Sequence, residues 1–433
     1  MRKLFVISFE GLNFDLLNQY LDVGELNHFK KLQEEGYLGK IQCSKVPYEA
    51  AGIVSALSGV NESQHGVFSY WKAKNKNYLP EVYHSEAIKN FMFWQHKKLK
   101  DYKISVVNMF GTHPVYPIKG SLISYAMDRT LRYTYPADLL RSFAKKGLNY
   151  VQDMGAFYKP GLQKEDFINQ IQKVELMRHE ICKKMYLSDY DIHVVNYTCI
   201  DRVCHFYMNE VADHGIPLKE QAIYRMYQLC DQILGDIFEL MEKSKGELIL
   251  FSSVGFGPLK SFVEINPYLE KKGFLNYTSH RVVDWKRTMA FEAPQGTHGI
   301  NINRKPFFSQ GIVEDIDYLK VLTEVAQALT EMKNPHNGNP MFAKVISGSE
   351  YYQNHIHAPD LILEPYDWEY LPYGDPHWAD IVGRHHQTGW HRSESVWGKW
   401  GDSLSVSREE VRSLDDIYRN IIETLSFIEG SIG

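Results

Sequence analysis

Apolar positions along the chain follow two alternating rhythms. KLFVISFEG, at the start, is a run of apolar and β-branched residues stopped by Gly11, the pattern of a buried strand. Similar runs recur as ISVVNMF (104–110), DIHVVNYT (191–198) and ELILFSS (247–253). Between them the apolar residues step by three and four. Leu26, Phe29 and Leu32 mark a helix face that ends at Gly36, and Phe167, Ile171, Val174 and Ile181 mark a second. Ile223, Met226, Cys230, Ile233, Ile237 and Leu240 form a longer stripe, and LDDIYRNIIETLSFI closes the chain as another amphipathic helix. Apolar strands alternating with helices predict a parallel sheet covered on both faces.

From about 259 to 380 the rhythm loosens. Prolines, aromatics and Asn-Gly punctuate it, as in NPHNGNP and PYDWEYLPYGDPHW. The expectation is an α/β core made of 1–258 and 381–433, with 259–380 as a cap or insertion that adds further strands.

Composition narrows the partners. With 44% hydrophobic and 23% charged residues, the 433-residue chain reads as an ordinary folded protein. A formal net charge of −5 without a basic run excludes nucleic acid as an expected partner. No apolar run reaches membrane-spanning length, and MRKLFVISFEG lacks the long apolar stretch and cleavage site of a signal peptide. Five scattered cysteines (Cys43, Cys182, Cys199, Cys204, Cys230) read as reduced thiols, so a cytoplasmic location is expected. The oligomeric state is not legible.

In open α/β sheets, functional residues gather just past the carboxyl ends of strands. Glu10, Asp201 and Ser253 each follow an apolar strand directly. Asp201 and His205 stand four apart in CIDRVCHFYM, a spacing that lets a carboxylate and an imidazole on one helix face reach a single ion. The same spacing also suits an ordinary surface pair.

Six segments, in order, extend the pattern. FEGLNFDLL, SALSGVNESQHGVFSY, CIDRVCHFYM, LFSSVGFGPLK, HAPDLILEP and GWHRSESVWG resemble the motif series of the alkaline phosphatase superfamily, particularly its type I phosphodiesterase/nucleotide pyrophosphatase branch. The resemblance implies a three-layer α/β/α sandwich of alkaline phosphatase type with a loop-rich cap insertion. It also implies divalent metal: zinc is the expected ion, with manganese or iron as alternatives, one or two per chain. Asp201, His205 and His391 would bind one ion and leave a position open. A small anionic substrate, a phosphate ester or diester, would follow.

At the second ion and the nucleophile the chain departs from that pattern. Glu10 stands where relatives have the aspartate of GLDG. Counting back ten from Gly59 gives Glu49 at the nucleophile's position, where Thr or Ser is usual. The aspartate and histidine of SDHGF become Ser253 and Val254, and valine cannot ligate. Tyr48, Ser44 and Ser55 are hydroxyls nearby, off the expected register. The alkoxide route to a covalent phospho-enzyme therefore loses its nucleophile. Three readings remain. Glu10 and Glu49 join Asp201, His205 and His391 in a rebuilt, carboxylate-rich metal site, with Glu49 as general base or bridging ligand. Alternatively, catalysis is lost and the protein binds a ligand or partner. In the third, the retained Asp/His/His set holds iron for redox or lyase chemistry.

Arg202, Arg384 and Arg392 flank the metal motifs and are candidates to clamp an anionic oxygen, with surface ion pairs as the plain alternative. His298 is a candidate substrate contact or added ligand, with a polar loop residue as the plain alternative, and His385 and His386 are candidate contacts to the metal ligands or the substrate. His65 in QHGVF suits a structural tie between a helix end and a loop. The stretch Tyr366–Trp378 suits either a pocket cover or packing within the cap.

Overall fold

The computed structural model describes residues 2–127, 130–152, 161–213, 215–280, 282–374, 386–405 and 411–430. It divides into two units: Met1–Asn61, His84–Gly257 and His386–Gly433 form the first, Glu62–Tyr83 and Pro258–His385 the second.

An eight-stranded mixed sheet organises the first unit. Its order is Tyr37–Gln42, Glu394–Trp400, Glu247–Phe251, Leu4–Phe9, Ile192–Tyr197, Ile104–Val107, Gly120–Ile123 and Thr134–Tyr135. The four apolar runs supply its centre. Leu4–Phe9 pairs in parallel with both Ile192–Tyr197 and Glu247–Phe251, and every residue of these three strands is buried. Continuous burial on both faces explains why they read as unbroken apolar runs and not as alternating ones. Three pairings toward the sheet's ends are antiparallel: Glu394–Trp400 with Tyr37–Gln42 and with Glu247–Phe251, and Thr134–Tyr135 with Gly120–Ile123.

Helices cover both faces. On one side, helices Phe14–Asp22, Asn27–Glu35, Lys164–Tyr186, Cys199–Tyr207 and Ala222–Ser244 pack around Phe5, Ile7 and Phe9. Helices Glu49–Ser58 and Asp415–Gly430 pack together on the other. The stripe expected on Ala222–Ser244 is buried at Ile223, Met226, Cys230, Ile233 and Ile237. The face expected on Lys164–Tyr186 is rotated slightly. Glu175 and Arg178 lie on its buried side, and Val174 is only half-buried.

The second unit has its own sheet and its own core. Its four antiparallel strands run in the order Ala290–Glu292, Gly299–Ile302, Leu361–Pro365 and Phe342–Ser347. Ile300, Ile302 and Leu363 pack there with Val325 and Leu329 of helix Tyr318–Thr330. Tyr78, from residues 62–83, stacks on Trp285 at 3.8 Å between ring centres and donates to Asn303 at 2.8 Å. Short strands broken by turns made this order illegible as periodicity. No helix among the described residues is long and apolar enough to cross a membrane.

Candidate metal centre

Strand ends in the first unit deliver the site residues. Leu4–Phe9 ends at Glu10 and then Gly11, whose φ of +92° suits glycine. A Cβ there would stand 2.8 Å from the Asp201 amide nitrogen, so glycine also lets this turn meet helix Cys199–Tyr207. The Asp201 N–H donates to the Glu10 carbonyl at 3.0 Å. Behind the same helix, Glu175 accepts the Cys199 N–H at 3.0 Å and the Thr198 N–H at 2.5 Å, satisfying donors that a helix start leaves open.

Strand Gly389–Arg392 brings His391. Gly389 packs so close that a Cβ would lie 2.3 Å from the Cys204 carbonyl oxygen. The His205 Nδ1 lies 3.3 Å from the Gly389 carbonyl oxygen, which turns Nε2 toward Asp201. The three expected ligands converge: Asp201 Oδ1 is 3.3 Å from His391 Nε2 and 3.7 Å from His205 Nε2. One donor atom from each lies within 4.8 Å of the others, the single such group of three among the described residues.

All three are buried, and Asp201 Oδ1 and both His391 ring nitrogens lack a well-directed hydrogen bond, their near contacts being with each other at 3.3 Å and with Glu49 at 3.4 Å. Buried polar atoms left so carry a cost that an ion would remove. The electrostatics match. Burial opposes ionisation of Asp201, but Arg202, His205 and His391 outweigh it and hold the carboxyl well below its usual range. For His205, burial, with help from His391 and Arg202 and against Asp201, lowers the pKa to about 3. An ionised carboxylate and a neutral imidazole are the forms that ligate metal. The residues present fit one divalent ion.

Glu49 opens helix Glu49–Ser58 and is 3% exposed. Its Oε2 lies 3.4 Å from His391 Nδ1, the ring nitrogen opposite the one facing Asp201. Tyr48 sets its ring edge-on to His391, with centres 5.4 Å apart. Glu10 is fully buried and fully engaged: Ser253 donates to Oε1 at 2.8 Å and Asn196 donates to Oε2 at 3.0 Å. Burial, then the charges of Asp201 and Glu49, push its pKa to about 8 against the opposing pull of Asn196 and Arg202.

The other candidates separate. Arg202 is buried, paired through Nη1 with Asp201, and donates through Nη2 to the Tyr125 hydroxyl at 2.9 Å. Arg392 folds back on its own strand, donating to the Trp390 and His391 carbonyls at 3.0 and 2.9 Å. His386 is exposed, while Arg384 and His385 lie outside the described residues. His298 belongs to the second unit, where it has a φ of +45° and packs 5.8 Å from Trp368. His65 accepts the Val67 N–H at 3.0 Å, the tie expected of it. Of the aromatic stretch, 375–378 lie outside the described residues, and Leu371 and Tyr373 are buried within the second unit. Asn196, Tyr125, Glu175 and Arg178 were not singled out from sequence. Asn196 alone left a signal, as a single amide near the end of an apolar strand.

Residues 4–394 match the family model for type I phosphodiesterase / nucleotide pyrophosphatase. Among solved structures, a phosphonoacetate hydrolase from Sinorhizobium meliloti 1021 in complex with phosphonoformate aligns with a TM-score of 0.62 at 11% identity. That alignment covers 96% of this chain and 94% of that one. Human ectonucleotide pyrophosphatase / phosphodiesterase 5 aligns with a TM-score of 0.53 at 12% identity, covering 98% and 95%. At these identities the likeness establishes a shared fold. No curated protein matches by sequence.

Proposed function

The chain belongs to the type I phosphodiesterase / nucleotide pyrophosphatase family, and from that premise we propose that it is a metal-dependent phosphoryl-transfer enzyme acting on small phosphate esters without a covalent phospho-enzyme. The observation that supports this reading is the convergence of one donor atom each from buried Asp201, His205 and His391. Zinc is the ion best suited to two imidazoles and a carboxylate with a position to spare. Bound there, it would act as a Lewis acid toward a phosphoryl oxygen and make a nearby water more acidic.

The chain's own residues divide the remaining work. Arg202 balances the charge of Asp201 and fixes its rotamer. Glu49 faces the outer nitrogen of His391, which orients the imidazole, and its carboxylate is the base for an attacking water. In that step the water oxygen bonds to phosphorus and the ester P–O bond breaks. The water's proton passes to Glu49 and then to the leaving alkoxide.

Hydrolysis of bis(p-nitrophenyl) phosphate by zinc-loaded and chelator-treated protein tests the proposal, together with Glu49→Gln. Expected are loss of turnover on chelation and a decrease of about 10²–10⁴-fold in the variant, the usual range for a general base. Inversion at phosphorus with a chiral thiophosphate diester is the further expectation. Retention of configuration, or full activity in Glu49→Gln, refutes the direct-attack mechanism.

A further inference from the structure

We infer that this chain holds a single catalytic ion, and that the place of the family's second ion is filled by a hydrogen-bonded group made of Glu10, Ser253 and Asn196. The inference rests on the metal-dependent reading above and deepens it. Relatives of this type bring a second ion to the end of the first strand, and the fit of that ion can be judged from the donors this chain offers there.

Those donors are already used among themselves. Both Glu10 oxygens accept protein hydrogen bonds, at 2.8 Å from the Ser253 hydroxyl and 3.0 Å from the Asn196 amide. Ser253 offers only a neutral hydroxyl where relatives place a carboxylate, a much weaker ligand for a divalent ion. Val254, fully buried beside Ser253, has no donor atom. Glu49 faces the His391 Nδ1 at 3.4 Å, so it serves the first ion's shell.

The packing holds this arrangement closed. Ser252 accepts the Gly11 and Leu12 N–H groups at 3.0 and 3.1 Å and donates to the Val254 carbonyl at 2.7 Å. These bonds fix the turn after Glu247–Phe251 against the turn after Leu4–Phe9, from which Glu10 and Ser253 project. Asn196 stands on the neighbouring strand, with its amide directed at Glu10. Asp201, His205 and His391 are, in addition, the one three-residue group of carboxylate, imidazole or thiol donors close enough to share an ion among the described residues.

Metal stoichiometry of the whole chain tests the inference without relying on turnover. The protein is stripped with chelator, loaded with excess Zn²⁺, desalted, and assayed for zinc by mass spectrometry, with His391→Ala as the control for surface binding. We expect about one zinc per chain above that control. Glu10→Gln should keep it, and Ser253→Asp combined with Val254→His should raise the count toward two. Two zinc ions in the wild-type chain, one of them lost in Glu10→Gln, would overturn the inference while leaving the metal-dependent reading intact. Loss of the single zinc in Glu10→Gln would overturn it as well, by making Glu10 a ligand. No zinc above the control overturns both readings. If the double variant fails to fold, the wild-type and Glu10→Gln counts still decide.

Discussion

The helix that presents Asp201 rests on a buried ion pair, and breaking that pair should cost both stability and metal. Glu175 is 1% exposed and Arg178 fully buried; the two side chains pair one turn apart on helix Lys164–Tyr186. One Glu175 oxygen faces Arg178, and the other accepts the N–H groups of Thr198 and Cys199 at the start of helix Cys199–Tyr207. Glu175→Gln keeps the size and one acceptor but removes the charge facing Arg178. Removing one partner of a buried pair costs about 3–5 kcal/mol. At about 2 °C per kcal/mol for a unit of this size, the metal-free melting temperature should fall by about 6–10 °C. Because Glu175 anchors the start of the helix that carries Asp201 and His205, zinc affinity should decline too. Replacing both charges, in Glu175→Gln with Arg178→Met, should recover most of the stability, because no uncompensated charge is left. Thermal unfolding of the three proteins in chelator, with zinc titrations alongside, measures all of this. A single variant that melts with the wild type, or a double variant no more stable than the single, refutes the reasoning.

Three further outcomes are expected. In metal-free protein burial keeps the Glu10 proton on up to about 8, while the unfolded chain releases it near the ordinary glutamate value of about 4.3. Its contribution is therefore full below the unfolded value and is lost as pH rises through about 8. Urea unfolding from pH 5 to 8 should show wild-type stability falling by up to about 1.4 kcal/mol per pH unit relative to Glu10→Gln, and parallel profiles would contradict this. Gly11→Ala places a Cβ 2.8 Å from the Asp201 nitrogen at a φ of +92°, so it should lose about 1–3 kcal/mol and most bound zinc; a variant with normal zinc content would exclude that contact as a constraint. One ion held beside Asp201 and Glu49 would offer little excess positive charge, so a diester monoanion should be hydrolysed faster than the corresponding monoester dianion. A comparison of nitrophenyl diester and monoester turnover measures this, and preference for the monoester would contradict it.

What could be read from sequence, and what could not, follows from the range of the interactions involved. Burial on both faces writes itself into consecutive residues, so the three central strands were legible as apolar runs. Asp201 and His205 were legible because a helix fixes their spacing, and His391 because its segment follows the others in order. The second unit's sheet was not, since strands of three to six residues separated by turns carry too little period. Glu175 and Arg178 were hidden for a different reason. Charged residues three apart on a helix read as a solvent-facing pair, and only the fold reveals that two backbone N–H groups of the following segment need that carboxylate. Glu10 and Glu49 read from sequence as two like replacements pooled at one metal site, yet they take different partners. Glu10 turns to Ser253 and Asn196, Glu49 to His391, and neither direction is written in its neighbours along the chain. Glu10, Ser253 and Asn196 fit one another, the carboxyl oxygens each meeting one of the two polar side chains, with Val254 buried next in sequence. Such mutual fit joins Glu10, Ser253 and Asn196 in one group of side chains, and it makes the zinc count the most direct discriminator between one ion and two.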